Sequence, residues 1–255
     1  MYREFETETS YKYLQEVISS LDEPICILGG WAVFFHANKK FEKAQGRPYL
    51  GSRDIDLGFE MSDAGKNVMK KSISVLTEKL RFRQVSFRLL KEIHTETEEE
   101  LEDSKTVPSY FIFPMYVDLM VDSIPKDFKK EFGFNPIDEP LLKVAFKEKK
   151  FTAMSGFGKK LLLPAPELLL AMKAHALPNR GKDHKKIKDI CDMFALAWYS
   201  NINPENADLL HYLPEKELVK CLQAIGDDDY GKAAIQIGHG KEEVKRVISL
   251  LCANP

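Results

Sequence analysis

Asp54 and Asp56 stand two residues apart in YLGSRDIDLGF, residues 49–59, within a run whose other members suit a buried strand. Removing a carboxylate from water is costly, so the pair needs either an open face or a cation. Period-2 alternation puts Ile55, Leu57 and Phe59 on one side and Asp54, Asp56 and Gly58 on the other, which makes this a half-buried strand with acids on its open side. The α-carbons of two such acids lie roughly 7 Å apart, close enough for their carboxylates to bind one ion or to bridge two. Hard oxygen donors select magnesium or manganese over zinc. A third acid on a neighbouring strand would complete a two-ion site, and Asp118 in SYFIFPMYVDLMVD, residues 109–122, is the natural candidate, with Asp122 the less favoured one. An Asp-x-Asp pair by itself decides nothing.

Other residues add context. Gly29-Gly30 lies between the apolar run 25–28 and WAVFFHA, so backbone N–H groups at the start of a helix can approach phosphate oxygens with no side chain in the way. An ordinary tight turn explains the same pair. Lys173 has Leu169, Leu170, Ala176 and Leu177 as its helical neighbours, which puts an ammonium on an apolar face. Snorkelling and a reach toward triphosphate oxygens both account for it. Asp189 and Asp192 lie opposite the apolar stripe of their helix, where Lys185 with Asp189 and Lys188 with Asp192 read as surface ion pairs of little energetic value. Arg180, Lys182, His184, Lys185, Lys186 and Lys188 form the densest basic cluster, suited either to a polyanionic acceptor such as RNA or to plain solvation. SGFGKK lacks the P-loop frame, and the histidines show no metal spacing.

The elements that must hold these residues follow from periodicity. Residues 5–21 read as a helix, 25–28 as a strand, 63–80 as a helix and RFRQVSFRLLKEIH, 81–94, as one strand. ETEEELED, 96–103, reads as a solvated acidic loop. Pro114 implies an edge or a bulge in the strand 109–122, and 141–163 carries strand-like segments around a turn at 155–158. A helix is expected from Pro166 until Pro178 stops it, then another over 183–199 with Ile187, Ile190, Cys191, Phe194 and Trp198 on one face, and a helical remainder. Domains of 1–165 (α/β) and 166–255 (helical) result. The 255 residues are 44% hydrophobic with a net charge of −2, so a basic patch rather than a global field would have to attract nucleic acid. Four scattered cysteines suggest reduced buried thiols, and neither a leader nor a membrane span is legible, so a cytoplasmic protein without membrane contact is the expectation.

Strand, Gly-Gly, helix, a strand with Asp-x-Asp and a later strand with a third Asp together resemble the DNA polymerase β-like nucleotidyltransferase superfamily. PELLLAMKAHALPNRGKDHKKIKDICDMFAL, residues 166–196, with ILGGWAVFFH and SRDIDL, resembles its AbiEii/AbiGii toxin branch. The resemblance implies an α/β (α+β) catalytic domain with a mixed sheet, followed by a helical domain. It further implies two Mg2+ (or Mn2+) ions on Asp54, Asp56 and Asp118, and an NTP held by Gly29, Gly30, Ser52 and Lys173. The resemblance suggests that Asp189 orients Lys173 or contacts the nucleotide, and from the basic cluster Arg180, Lys185 and Lys186 would meet the acceptor. Transfer of a nucleoside monophosphate to RNA, most plausibly the 3′ end of tRNA, by the toxin of a toxin–antitoxin pair is the implied activity. A protein hydroxyl or a small molecule such as an aminoglycoside is the alternative acceptor, and a non-catalytic nucleotide- or RNA-binding protein is the other class. One departure is the 23 residues between Gly30 and Asp54, longer than usual, which makes 41–50 either an ordered insertion or a mobile loop.

Overall fold

The computed structural model describes residues 3–200, 202–203 and 207–253. The chain divides into two compact units, one from Tyr2–Trp31 and Gly51–Pro164, the other from Ala32–Leu50 and Ala165–Pro255. Residues 32–50 group with the later helices rather than with the sheet, an interleaving that a single cut between 165 and 166 does not express.

The first unit contains α1 (Glu4–Ser20), β1 (Ile25–Ile27), the opening residues of α2 (Gly29–Gln45), β2 (Asp54–Phe59), α3 (Asp63–Ser74), β3 (Arg83–Val85), β4 (Arg88–His94) and β5 (Ile112–Val121). It continues with α4 (Phe128–Phe132), β6 (Ile137–Asp138), α5 (Leu141–Glu148), β7 (Phe151–Gly156) and β8 (Lys159–Pro164). The strands form one mixed sheet in the order β3-β4-β5-β2-β1-β8-β7, with β6 beside the end of β5. This is the mixed α/β architecture that the sequence leads one to expect. β2 and β5 run parallel, and β5 is antiparallel to β4. Ile55, Leu57 and Phe59 are buried as the alternation requires. Pro114 precedes the β2 pairing, which starts at Tyr116, so its missing N–H falls where β5 has only β4 beside it.

Two segments differ from the periodicity reading. Residues 81–94 are a hairpin rather than one strand, because the chain turns at Ser86, whose φ of 58° is unusual for a residue with a side chain. Residues 141–148 are helical, and the buried Leu141, Leu142 and Ala145 share one face of that helix at a spacing easily taken for a strand. The turn expected at 155–158 is present, with Phe157 and Gly158 at positive φ between the paired β7 and β8.

The second unit holds the rest of α2 with α6 (Pro166–Ala176), α7 (Asp183–Tyr199), α8 (Glu215–Gln223), α9 (Asp227–Ile237) and α10 (Lys241–Ala253). Pro166 opens α6, where its absent N–H costs nothing. α7 is an interior helix: every residue from Ile187 to Ala197 is buried, so it has no solvent face over that span, and the exposed member of the expected apolar stripe is Trp198. Residues 41–45 finish α2, and Tyr49 beyond it is buried. The insertion is therefore ordered. All four cysteines are buried and free. Among the described residues no helix is long and apolar enough to cross a membrane.

Candidate active site

Parallel pairing aligns β2 with β5 so that Asp56 faces Asp118 and Asp54 faces Tyr116. In-register neighbours present side chains on the same face, so three carboxylates from two strands converge. Asp122 does not join them; its carboxylate accepts the Met61 N–H at 2.9 Å beyond the end of β2. Gly29 adjoins Asp56 closely. Its φ is +58°, and a Cβ there would lie 1.7 Å from Asp56 Oδ2, so both the turn and the approach of the carboxylate require glycine. Gly30 follows within the first turn of α2, and Ser52 is buried just before β2.

Arg88, the first residue of β4, lies opposite Asp118 in the antiparallel register. Its Nε donates to Asp118 Oδ1 at 2.5 Å and its Nη2 to Oδ2 at 2.7 Å, the two-pronged geometry that planar guanidinium and carboxylate groups favour. The same Nη2 is 3.0 Å from Asp54 Oδ2, and the guanidinium sits 3.8 Å from the centre of the Tyr116 ring. Burial works against its charge, but the hydrogen bonds and charge of Asp118, with Asp54 behind them, hold the Arg88 pKa above its ordinary range. Arg88 did not stand out in the sequence, where it is one basic residue among several in an alternating run. Only the hairpin turn at Ser86 and the β4–β5 register bring it to the acids.

The chemistry of the three acids fits a hard divalent cation: all donors are carboxylate oxygens on paired strands. Their present arrangement serves an arginine instead, and among the described residues no three His, Cys, Asp or Glu side chains are disposed to hold a metal ion as they stand.

A second charge cluster lies within the helical unit. Lys173 Nζ donates to Asp189 Oδ1 at 2.8 Å and lies 2.7 Å from Asp192 Oδ2; this second contact is an ion pair off the hydrogen-bonding angle, since that oxygen has no hydrogen-bond partner. Arg180 Nε donates to Asp189 Oδ2 at 2.5 Å, Lys188 pairs with Asp192 Oδ1, and the Tyr49 hydroxyl donates to that oxygen at 2.7 Å. Asp189 and Asp192 are buried because α7 is covered on all sides from Ile187 to Ala197, which removes the surface-pair alternative, and Lys173 meets Asp189 in keeping with the resemblance. Asp189 also pairs with Lys173 and Arg180. Burial alone would raise the Asp189 pKa, but Lys173 and Arg180 hold it below the usual carboxylate range. Lys173 is held above its ordinary range, the two aspartates outweighing burial. Burial, then the Asp192 charge, pushes the Tyr49 hydroxyl well up. Of the basic residues expected to meet an acceptor, Arg180 is engaged here, Lys186 pairs with Asp229 at 2.6 Å, and Lys185 is half-buried on α7.

Acids gathered on two paired strands thus lie beside a glycine turn that opens a helix. The family model described as "Nucleotidyl transferase AbiEii toxin, Type IV TA system" matches residues 51–243, and the chain belongs to that family of nucleotidyltransferases. No curated protein matches the chain. Among solved structures it is similar to an antigenic nucleotidyltransferase-like protein from Paracoccidioides brasiliensis, at 15% identity and a TM-score of 0.44, over 91% of this chain and 93% of that one.

Proposed function

We propose that the protein moves a nucleoside monophosphate from an NTP to a hydroxyl of RNA, most plausibly the 3′ end of tRNA, as a cytoplasmic toxin countered by a cognate antitoxin. One observation carries the reading: Asp54 and Asp56 on β2 are aligned with Asp118 on β5 while Gly29 abuts Asp56. Two magnesium or manganese ions held by Asp54, Asp56 and Asp118 would supply charge neutralisation at the α-phosphate and the departing pyrophosphate and would ease ionisation of the acceptor. Gly29 and Gly30 offer backbone N–H groups and the positive end of a 17-residue helix to phosphate oxygens. Asp118 takes the hydroxyl proton as the acceptor oxygen bonds to the α-phosphorus and the bond to pyrophosphate breaks, the leaving group keeping the electron pair. Ser52, Lys173 and Asp189 are assigned to nucleotide binding, and Arg180, Lys185 and Lys186 to the acceptor, on the strength of the sequence resemblance. The ion pairs of Asp189 with Lys173 and Arg180 explain why the Lys173 and Asp189 charges tolerate burial.

Each NTP labelled at the α-phosphate is incubated with Mg2+ and, separately, tRNA, a protein pool and aminoglycosides. Label in tRNA that vanishes in Asp56→Asn is the expected result. Label in protein or in an aminoglycoside moves the acceptor, and NTP binding without label in any pool makes the chain a non-catalytic binding protein.

A further inference from the structure

Arg88 occupies the carboxylates that the proposed reaction reserves for cations. It engages both oxygens of Asp118, the atoms that a metal ion would also need, and its Nη2 extends to Asp54. We propose that Arg88 is a built-in competitor for the divalent cation at Asp54 and Asp118, so that cation binding and release of Arg88 are a single exchange. The inference rests on the reading that these acids bind metal.

Three features make an exchange possible. The Asp118 side chain is only 9% exposed, so its charge needs a cation in either state, and swapping one cation for another avoids leaving it bare. Arg88 heads β4 directly after the hairpin turn at Ser86 and its side chain is 18% exposed, so the guanidinium can leave toward water without unpacking the core. Tyr116 offers an aromatic face on which that guanidinium already rests at 3.8 Å, and the contact does not depend on either acid. A dication replacing a monocation adds one positive charge to a cluster of three formal negative charges, which favours the exchanged state once cation is plentiful. The apoprotein is thereby protected from the repulsion of Asp54, Asp56 and Asp118, and the site closes to stray cations at low concentration.

The opposite role is physically reasonable: an arginine that fixes Asp118 in the orientation a metal needs. The two roles predict opposite signs. Binding of Mn2+ alone is measured by calorimetry, with free Mn2+ followed by electron paramagnetic resonance, for wild type, Arg88→Met, Arg88→Lys and Asp118→Asn. Competition predicts that Arg88→Met binds Mn2+ about tenfold tighter or more, since affinity is reduced by the fraction of molecules in which the site is free. Arg88→Lys, which keeps the charge but cannot grip both oxygens, binds with intermediate affinity. Should Arg88→Met fail to fold without cation, Arg88→Lys is judged alone by the same criterion. Equal or weaker Mn2+ binding in these variants overturns the competition while leaving the metal site intact, provided Asp118→Asn still weakens wild-type binding. If neither wild type nor the Arg88 variants bind Mn2+, the metal reading itself fails and takes this inference with it.

Discussion

The chain carries two carboxylate–cation clusters built on opposite terms. On β2, β4 and β5 three acids meet one arginine at a site partly open to water, whereas on α6 and α7 two acids, Asp189 and Asp192, meet Lys173, Lys188 and Arg180, with Tyr49 hydrogen-bonded as well. In the first, one arginine meets Asp118 and Asp54; in the second, three cations meet two carboxylates, and Asp192 is wholly buried with one oxygen outside any hydrogen bond. Carboxylates that border water suit a cation that comes and goes. The mostly buried pairs also tie α6 to α7, and removing one member leaves an uncompensated interior charge.

That contrast orders the expected effects of mutation. Asp192→Ala should be the most damaging change, lowering unfolding free energy in urea by about 3–5 kcal/mol, because Lys173 and Lys188 stay buried without their shared partner. A loss below about 1 kcal/mol would mean that water replaces the carboxylate and the cluster is not closed. Tyr49→Phe removes one hydrogen bond to a buried carboxylate and should cost about 1.5–3 kcal/mol by the same measurement. Gly29→Ala forces a left-handed backbone on a residue with a side chain, at about 1–2 kcal/mol, and pushes Asp56 aside. Weakened Mn2+ binding should accompany that loss if Asp56 is a ligand. Asp56→Asn should change stability by no more than about 0.5 kcal/mol, since it keeps the shape of a half-buried side chain.

Acid titration separates the clusters in another way. The folded pKa of Asp189 lies below its unfolded value, so the unfolded chain binds more protons there and stability rises with pH across the interval between the two. Its contribution is present above the ordinary carboxylate range and lost as pH falls through the folded value. An Asp189→Asn variant, lacking that contribution at every pH, should show a shallower acid limb in unfolding midpoints against pH. An unchanged slope would assign acid sensitivity to other carboxylates.

Much of the open cluster was legible because strand alternation is short-range: Ile55 and Leu57 inward place Asp54 and Asp56 outward without knowledge of the partner strand. Alternation puts Asp118 on the same open face, but it puts Asp122 there too, and only the β2–β5 pairing, which ends at Val121, separates the two. Arg88 was not, since a β3–β4 turn lacking the usual Asn or Gly signal hides where β4 begins, and the β4–β5 register joins residues thirty positions apart. In the buried cluster the resemblance pointed to the Lys173–Asp189 contact, whereas the surface-pair alternative failed for a different cause. Charged positions opposite an apolar stripe normally face water, and nothing local to α7 shows that other helices cover it on that side too. Tyr49 stood in a polar stretch where one aromatic residue carries no period, so its hydrogen bond to Asp192, 143 positions away, was beyond sequence reading.

The most direct test of the division between the clusters is transfer of α-phosphate label from an NTP to tRNA by wild type and Asp56→Asn, each normalised to folded protein from its own urea curve. Complete loss of label in Asp56→Asn with an unfolding curve overlying that of wild type is the outcome expected of a cluster that works on cations and phosphate. Label transfer persisting at the wild-type rate, or lost only in proportion to unfolded protein, would contradict it.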